Sequence, residues 1–229
     1  MSMHTRKPYK LDYNSYLTWM REFVKWLTAH AGDADYPLHI IPSIAAFEDL
    51  IDQFEAISGP YKNLITLANA KNKLYTAAFE SLSDKLVQIK LALVTVADDP
   101  DILALFDLAG KLPKDRDDMY MTVQNCLNYW ATVSGEAMFA PMIPDFTTLQ
   151  TLFDDFVAAR EVYFNTDNER ETKQNELLAV KEQIHEIERD CFQWYRSRHP
   201  KGDDEWWTET EWGTTGGGSG EEPGGESFP

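Results

Sequence analysis

From Asn14 to about Arg198, apolar side chains recur at steps of three and four residues, and this pattern constrains the fold more than any other feature of the chain. Such spacing gathers apolar residues on one face of a helix, whereas a half-buried strand would need strict alternation. In the first segment Tyr16, Met20, Phe23 and Leu27 form a stripe, with Leu17, Val24 and Ala31 beside it. Asn14 or Ser15 can cap its start, and Gly32 is placed to end it. Trp19 and Trp26 fall off the stripe, so the helix is expected to bury more than one face.

After the loop GDADYPLHIIP, Pro42 and Ser43 read as a helix start, with Ser43 as N-cap. Ile44, Phe47, Ile51, Phe54, Ser58, Tyr61 and Ile65 then keep one helical phase, which survives Gly59-Pro60, a pair expected to kink or split the helix. A second run, Leu74, Ala78, Leu82, Leu86, Ile89 and Leu93, reaches Ala97. Asp98-Asp99-Pro100 breaks it, ILALFDL reads as a short amphipathic turn, and GKLPKDRDD as a charged connector.

The plan then restarts. Val123, Leu127, Trp130 and Val133 mark a short helix ending near Ser134-Gly135, and the loop PMIP leads to Asp145 as the next cap. Phe146, Leu149, Phe153, Phe156 and Tyr163 follow, then Leu177, Ile184, Ile187, Cys191 and Trp194. PSIAAFEDLIDQF at 42–54 and PDFTTLQTLFDDF at 144–156 are echoes of each other. At that offset of 102, segments 42–63 and 144–165 share seven identities, where ordinary residue frequencies give about one or two. Duplication of a helical unit is the better account than shared periodicity alone.

The fold expected is therefore all-α: an elongated helical bundle of two tandem, pseudo-twofold related units with a flexible acidic Gly-rich C-terminal tail. The boundaries read 1–13 for a basic arm, 14–120 and 121–212 for the units packed as one domain, and 213–229 for the tail. Each long stretch is expected to fold back as a hairpin; Thr166-Asp167-Asn168-Glu169 has the form of a capping box at the second bend. An aromatic-rich short helix, a Pro-bounded loop, a long helical pair and an acidic LPKDRDD segment, in that order, resemble a group of uncharacterised bacterial helical proteins. The resemblance covers about 14–120 and, less clearly, 121–213. That group has Leu-Pro-x-Arg-Asp-Thr at the corresponding place. Here Leu112, Pro113 and the acids match, a lysine and an aspartate intervene, and the threonine is missing. The resemblance implies a helical fold and carries no function.

Composition excludes several classes. A net charge of −17 and a pI near 4.6 oppose binding to nucleic acid or to an anionic membrane surface. No apolar run reaches the length of a membrane span, and MSMHTRKPYK is followed by no secretory apolar stretch, so membrane insertion is not expected. The protein is expected in the cytoplasm, or exported within a particle without a signal peptide. Cys126 and Cys191 read as reduced, buried thiols rather than a disulfide or a nucleophile.

The one chemical motif is Glu182-Gln183-Ile184-His185, half of a di-iron Glu-x-x-His pair. It has no second copy, so a metal-binding enzyme or carrier built on Glu182 and His185 is the alternative, and no metal, cofactor or catalytic residue is expected. His30, in a last helical turn, reads as a partner of the helix dipole. His39 and His199 share no ligand spacing with it. The pairs Asp154-Asp155 and Asp117-Asp118 read as solvated surface. Trp206, Trp207, Trp212 and Phe228 remain as candidate partner-binding residues, aromatic anchors in a tail that holds eight acids and no base after Lys201. The function expected is a non-enzymatic structural or assembly protein that docks on a protein partner or on itself; packaged cargo or effector is a further alternative.

Overall fold

A computed structural model of the protein describes residues 13–32, 44–97 and 101–198. Helix accounts for 91% of these residues, and no strand occurs among them. In chain order the elements are α1 (Tyr13–His30), α2 (Ile44–Ala97), α3 (Ile102–Leu105), α4 (Arg116–Val133), a 3₁₀ segment (Ala137–Met142) and α5 (Ile143–Arg198). The cap at Ser43, the basic arm and the tail with its four aromatic residues lie outside the described residues.

The hairpins expected from the sequence do not form. α2 is one helix of 54 residues and α5 one of 56. Gly59-Pro60 lies inside α2, where Pro60 cannot make the hydrogen bond to Ala56 and crowds that carbonyl. Gly59 and Pro60 are solvent-exposed, and the Ser58 hydroxyl donates to the Glu55 carbonyl at 2.9 Å. Nor is the Thr166 segment a cap: the Thr166 hydroxyl donates back to the Val162 carbonyl at 2.8 Å, and Asp167 pairs with Arg170. A Cβ added at Gly59 meets nothing within 4 Å. Gly59→Ala is therefore expected to stabilise the protein by about 0.5–1 kcal/mol through helix propensity, read as a raised midpoint in thermal or urea unfolding.

What carries the helices through these weak points is the regularity of their buried seams. From Phe47 to Leu93, every position reached by alternating steps of four and three is buried or half-buried, including Ser58 and Asn72. The same rule holds in α5 from Phe146 to Tyr195. A period of about 3.5 residues is that of coiled-coil packing, in which one face meets the partner helix without drift. It also corrects the expected stripe: Leu74 is 59% exposed, and the seam residue is its neighbour Tyr75.

Two compact units are formed: unit 1 joins two separate stretches of chain, and unit 2 is one continuous stretch. Unit 1 comprises residues up to Asn63 and from Glu171 onward, so its described helices are α1, the start of α2 and the end of α5. Unit 2 is Leu64–Arg170: the rest of α2, α3, α4, the 3₁₀ segment and the start of α5. In unit 2 the two long helices run antiparallel, since Lys85 meets Asp145 whereas Tyr75 meets Phe156 and Tyr163.

Unit 1 buries Tyr16, Trp19, Met20, Phe23, Trp26 and Leu27 of α1, so both tryptophans off the main stripe are in the core. Phe23 stands between Trp19 (5.4 Å) and Trp26 (5.7 Å), with Phe47 edge-on at 5.3 Å. Trp26 meets Trp194 and Tyr195 of α5. Unit 2 centres on Phe106, Phe139 and Phe146, with Trp130 lying flat on Phe146 at 3.9 Å.

The charged connector is in part a helix start that the sequence reading missed. Asp115 accepts hydrogen bonds from the backbone N–H groups of Asp117 (2.9 Å) and Asp118 (3.3 Å), capping α4 with two acids in its first turn. Asp145, expected as a cap, lies inside the first turn of α5 and pairs with Lys85 at 2.6 Å. ILALFDL ends in a left-handed residue, Asp107 at φ 61°. There the N–H of Leu108 reaches the Leu103 carbonyl and that of Asp107 the Ala104 carbonyl, the paired bonds of a Schellman stop.

Candidate functional site

The seam of α5 is apolar at its beginning, then takes in charge. Continuing from Phe156 in steps of four and three gives Arg160, Tyr163, Asp167, Arg170, Gln174, Leu177, Lys181, Ile184, Glu188, Cys191 and Tyr195, none of them exposed. Most of the charged members are satisfied. Arg160 donates to Asp117 at 2.8 Å and Arg170 to Asp167 at 2.7 Å. Arg116, at the start of α4, lies 4.3 Å above the Tyr75 ring and donates to Asn72 (3.1 Å) and Thr76 (2.7 Å). These contacts tie α2, α4 and α5 together within unit 2, while the buried Nε of Arg160 has no hydrogen-bond partner among the described residues.

The polar stretch in unit 1 is different. Lys181 is only 9% exposed, and its Nζ sits 4.8 Å from the centroid of the Tyr16 ring. His185 faces the edge of the same ring at 6.1 Å. Glu188 completes the group; it forms no hydrogen bond or ion pair among the described residues. The Tyr16 hydroxyl is also buried without a hydrogen-bond partner among them. Burial disfavours each charged form. It raises Glu188 to about 7, helped down only by Arg189. It lowers Lys181, and lowers His185 with Lys181 adding to the effect and Glu182 opposing it. It raises the Tyr16 phenol, with Glu188 adding to the effect.

This group does not coincide with the Glu-x-x-His motif. Glu182 is exposed while His185 turns inward toward α1, so the two do not converge. Among the described residues no set of three His, Cys, Asp or Glu side chains is placed to hold a metal ion. Lys181 and Glu188 were overlooked because a charged residue in a polar helix reads as solvated; counting the seam onward from Leu177 would have found both.

The remaining candidates have plain roles. Cys126 and Cys191 are free and buried, as expected. Burial, with Asp107 nearby, pushes Cys126 up to about 12, and burial with Glu188 and Asp190 raises Cys191, so neither is a ready thiolate. His30 ends α1 and packs on Trp26 and Trp194. Asp117 serves Arg160, and Asp154 accepts from Gln150. A groove of about 340 Å³ in unit 1, lined by Arg21, Val24, Glu48, Ile51 and Asp52, is open to solvent, and Arg21 is bonded to Glu55. His39, His199, Trp206, Trp207, Trp212 and Phe228 lie outside the described residues.

Fold and site together define an all-α protein of long, seam-packed helices. Compared with known proteins, the chain matches no family model, no curated protein and no solved structure. No helix among the described residues is long and apolar enough to cross a membrane.

Proposed function

We propose that the protein is a non-enzymatic assembly module whose helices dock on a protein partner or on further copies of the chain. The observation that carries this reading is the outer face of α2, where Val87, Leu91 and Val94 follow one another at steps of four and three, all exposed, with Leu91 67% exposed. They lie opposite the seam of Leu86, Ile89 and Leu93. An aliphatic row of that spacing is the kind of surface a second amphipathic helix covers.

A repeated short-helix, long-helix unit is part of the proposal. An 18-residue helix precedes a 54-residue one, and a second 18-residue helix precedes one of 56. At the offset of 102, the α2 seam residues Phe47, Ile51, Phe54 and Tyr61 correspond to Leu149, Phe153, Phe156 and Tyr163 of the α5 seam. The tail residues Trp206, Trp207, Trp212 and Phe228 are proposed as additional anchors.

The test is light scattering after size exclusion, with identification of what co-purifies with the full chain. Leu91→Glu is expected to weaken assembly or partner capture by 10-fold or more, and removal of 213–229 to weaken it further. Unchanged mass and unchanged capture in both variants would sink the proposal.

A further inference from the structure

Opposite the buried seam that holds Ala68, Tyr75 and Leu82, the middle of α2 carries a second heptad row. Leu67, Ala70, Leu74, Ala77, Ser81 and Asp84 follow one another at alternating steps of three and four. Every one is exposed, Leu67 by 44% and Leu74 by 59%, and all lie in unit 2. This is the spacing of the a and d positions of a coiled coil, with Lys71 and Ala78 at e and Lys73 and Glu80 at g. The charges along it are segregated. From Ala56 to Phe79 the chain has three lysines and no acid, and Glu80 and Asp84 then follow. Lys73 and Glu80 are exposed and make no ion pair among the described residues.

We propose that this row is the contact between two copies of the chain, whose α2 helices lie antiparallel across a twofold axis with Leu74 of one copy against Ala77 of the other. The proposal rests on the assembly reading above and gives it a partner, a second copy.

Charge selects both the occupant and the register. With Leu74 opposite Ala77, the g positions set Lys73 opposite Glu80, and the twofold makes that pair twice. Sliding one copy by a heptad either way sets Lys73 against Lys73 or Glu80 against Glu80. Parallel pairing in register puts Asp84 on Asp84 inside the seam and turns Lys73 toward Ala78. In the antiparallel register Asp84 falls at the end of the seam, opposite Leu67, where its carboxylate can stay in water. α2 thus supplies both halves of the charge pattern itself, and an isologous contact of this kind closes at a dimer.

The experiment is sedimentation equilibrium of the full chain and its variants at low salt. The wild type is expected to dimerise, and Leu74→Glu to raise the dissociation constant by about 100-fold or more. Lys73→Glu and Glu80→Lys should each raise it by about 10-fold, since two attractive pairs become two repulsive ones. An equimolar mixture of these two variants should associate about as tightly as the wild type, because each copy then meets the opposite charge. That recovery reads pairing between chains, which an effect confined to one helix would not produce, and it decides the matter even if Leu74→Glu does not fold. A mixture no tighter than its components overturns the proposal, and so does a monomeric wild type. Leu91 lies outside the row, so Leu91→Glu tests the assembly reading on its own. A monomeric wild type that still loses its partner through Leu91→Glu overturns the dimer and leaves that reading standing.

Discussion

Phe146→Ala is expected to lower stability by about 3–5 kcal/mol, the largest loss in unit 2 from a single substitution. The ring is 1% exposed, lies parallel to Trp130 at 3.9 Å and meets Phe106 at 5.6 Å. Removing it loses the transfer energy of the ring, opens a cavity, and ends two aromatic contacts worth about 0.5–1.5 kcal/mol each. Phe106, just after α3, and Trp130 of α4 line the space the ring would leave, and Phe139 packs on both of them. Urea unfolding measures the loss, and Trp130 fluorescence reports it locally. A cost under 1 kcal/mol would mean that this ring cluster does not hold α4 in place. Total stability of a protein this size is typically about 5–15 kcal/mol, so the variant should be near the edge of folding at 37 °C.

In unit 1 the matching experiment is Phe23→Ala, again expected to cost about 3–5 kcal/mol. Phe23 is fully buried and separates two tryptophans of its own helix, stacked on one at 5.4 Å and on the other at 5.7 Å. It also carries the edge contact to Phe47, through which α1 grips the start of α2. Because most of a protein helix's stability comes from packing its apolar face, the order of the 18-residue α1 depends on this face. Hydrogen exchange should therefore show α1 losing protection before the α4 region does. If protection of α1 is unchanged, the helix is held by something other than its aromatic stack.

Much of this was legible in the residues. The steps of three and four that mark Tyr16, Phe23, Phe54, Phe146 and Phe156 as core positions required no structure to read, and all five are buried. The free, buried state of Cys126 and Cys191 followed from their places on apolar stripes. Local punctuation was a poorer guide. Gly59-Pro60 and the Thr166 segment both carry the signals of a break, and neither breaks the helix. Their local cost, about 3 kcal/mol or more for a helix-interior proline, is outweighed by burial along a seam that continues on both sides. Conversely, Asp115 had the chemistry of a cap and was passed over inside a run of charges. The aromatic anchors expected at Trp206, Trp207, Trp212 and Phe228 lie beyond the described residues, so their role remains a proposal.

By itself, then, the sequence determined the helical class, the faces that turn inward, the acidic surface and the absence of a reactive thiol signature. These depend on periodicity and composition, which act over a few residues at a time. Only the tertiary structure decided that the long helices run unbroken and that unit 1 draws on two distant parts of the chain. It alone also showed that Lys181 is buried and Glu188 half-buried. Whether a charged residue on a polar helix is solvated depends on what packs against it, and Tyr16 lies more than 160 residues away in the chain. That contact lays the Lys181 ammonium over the Tyr16 ring in a buried place, where desolvation lowers its pKa.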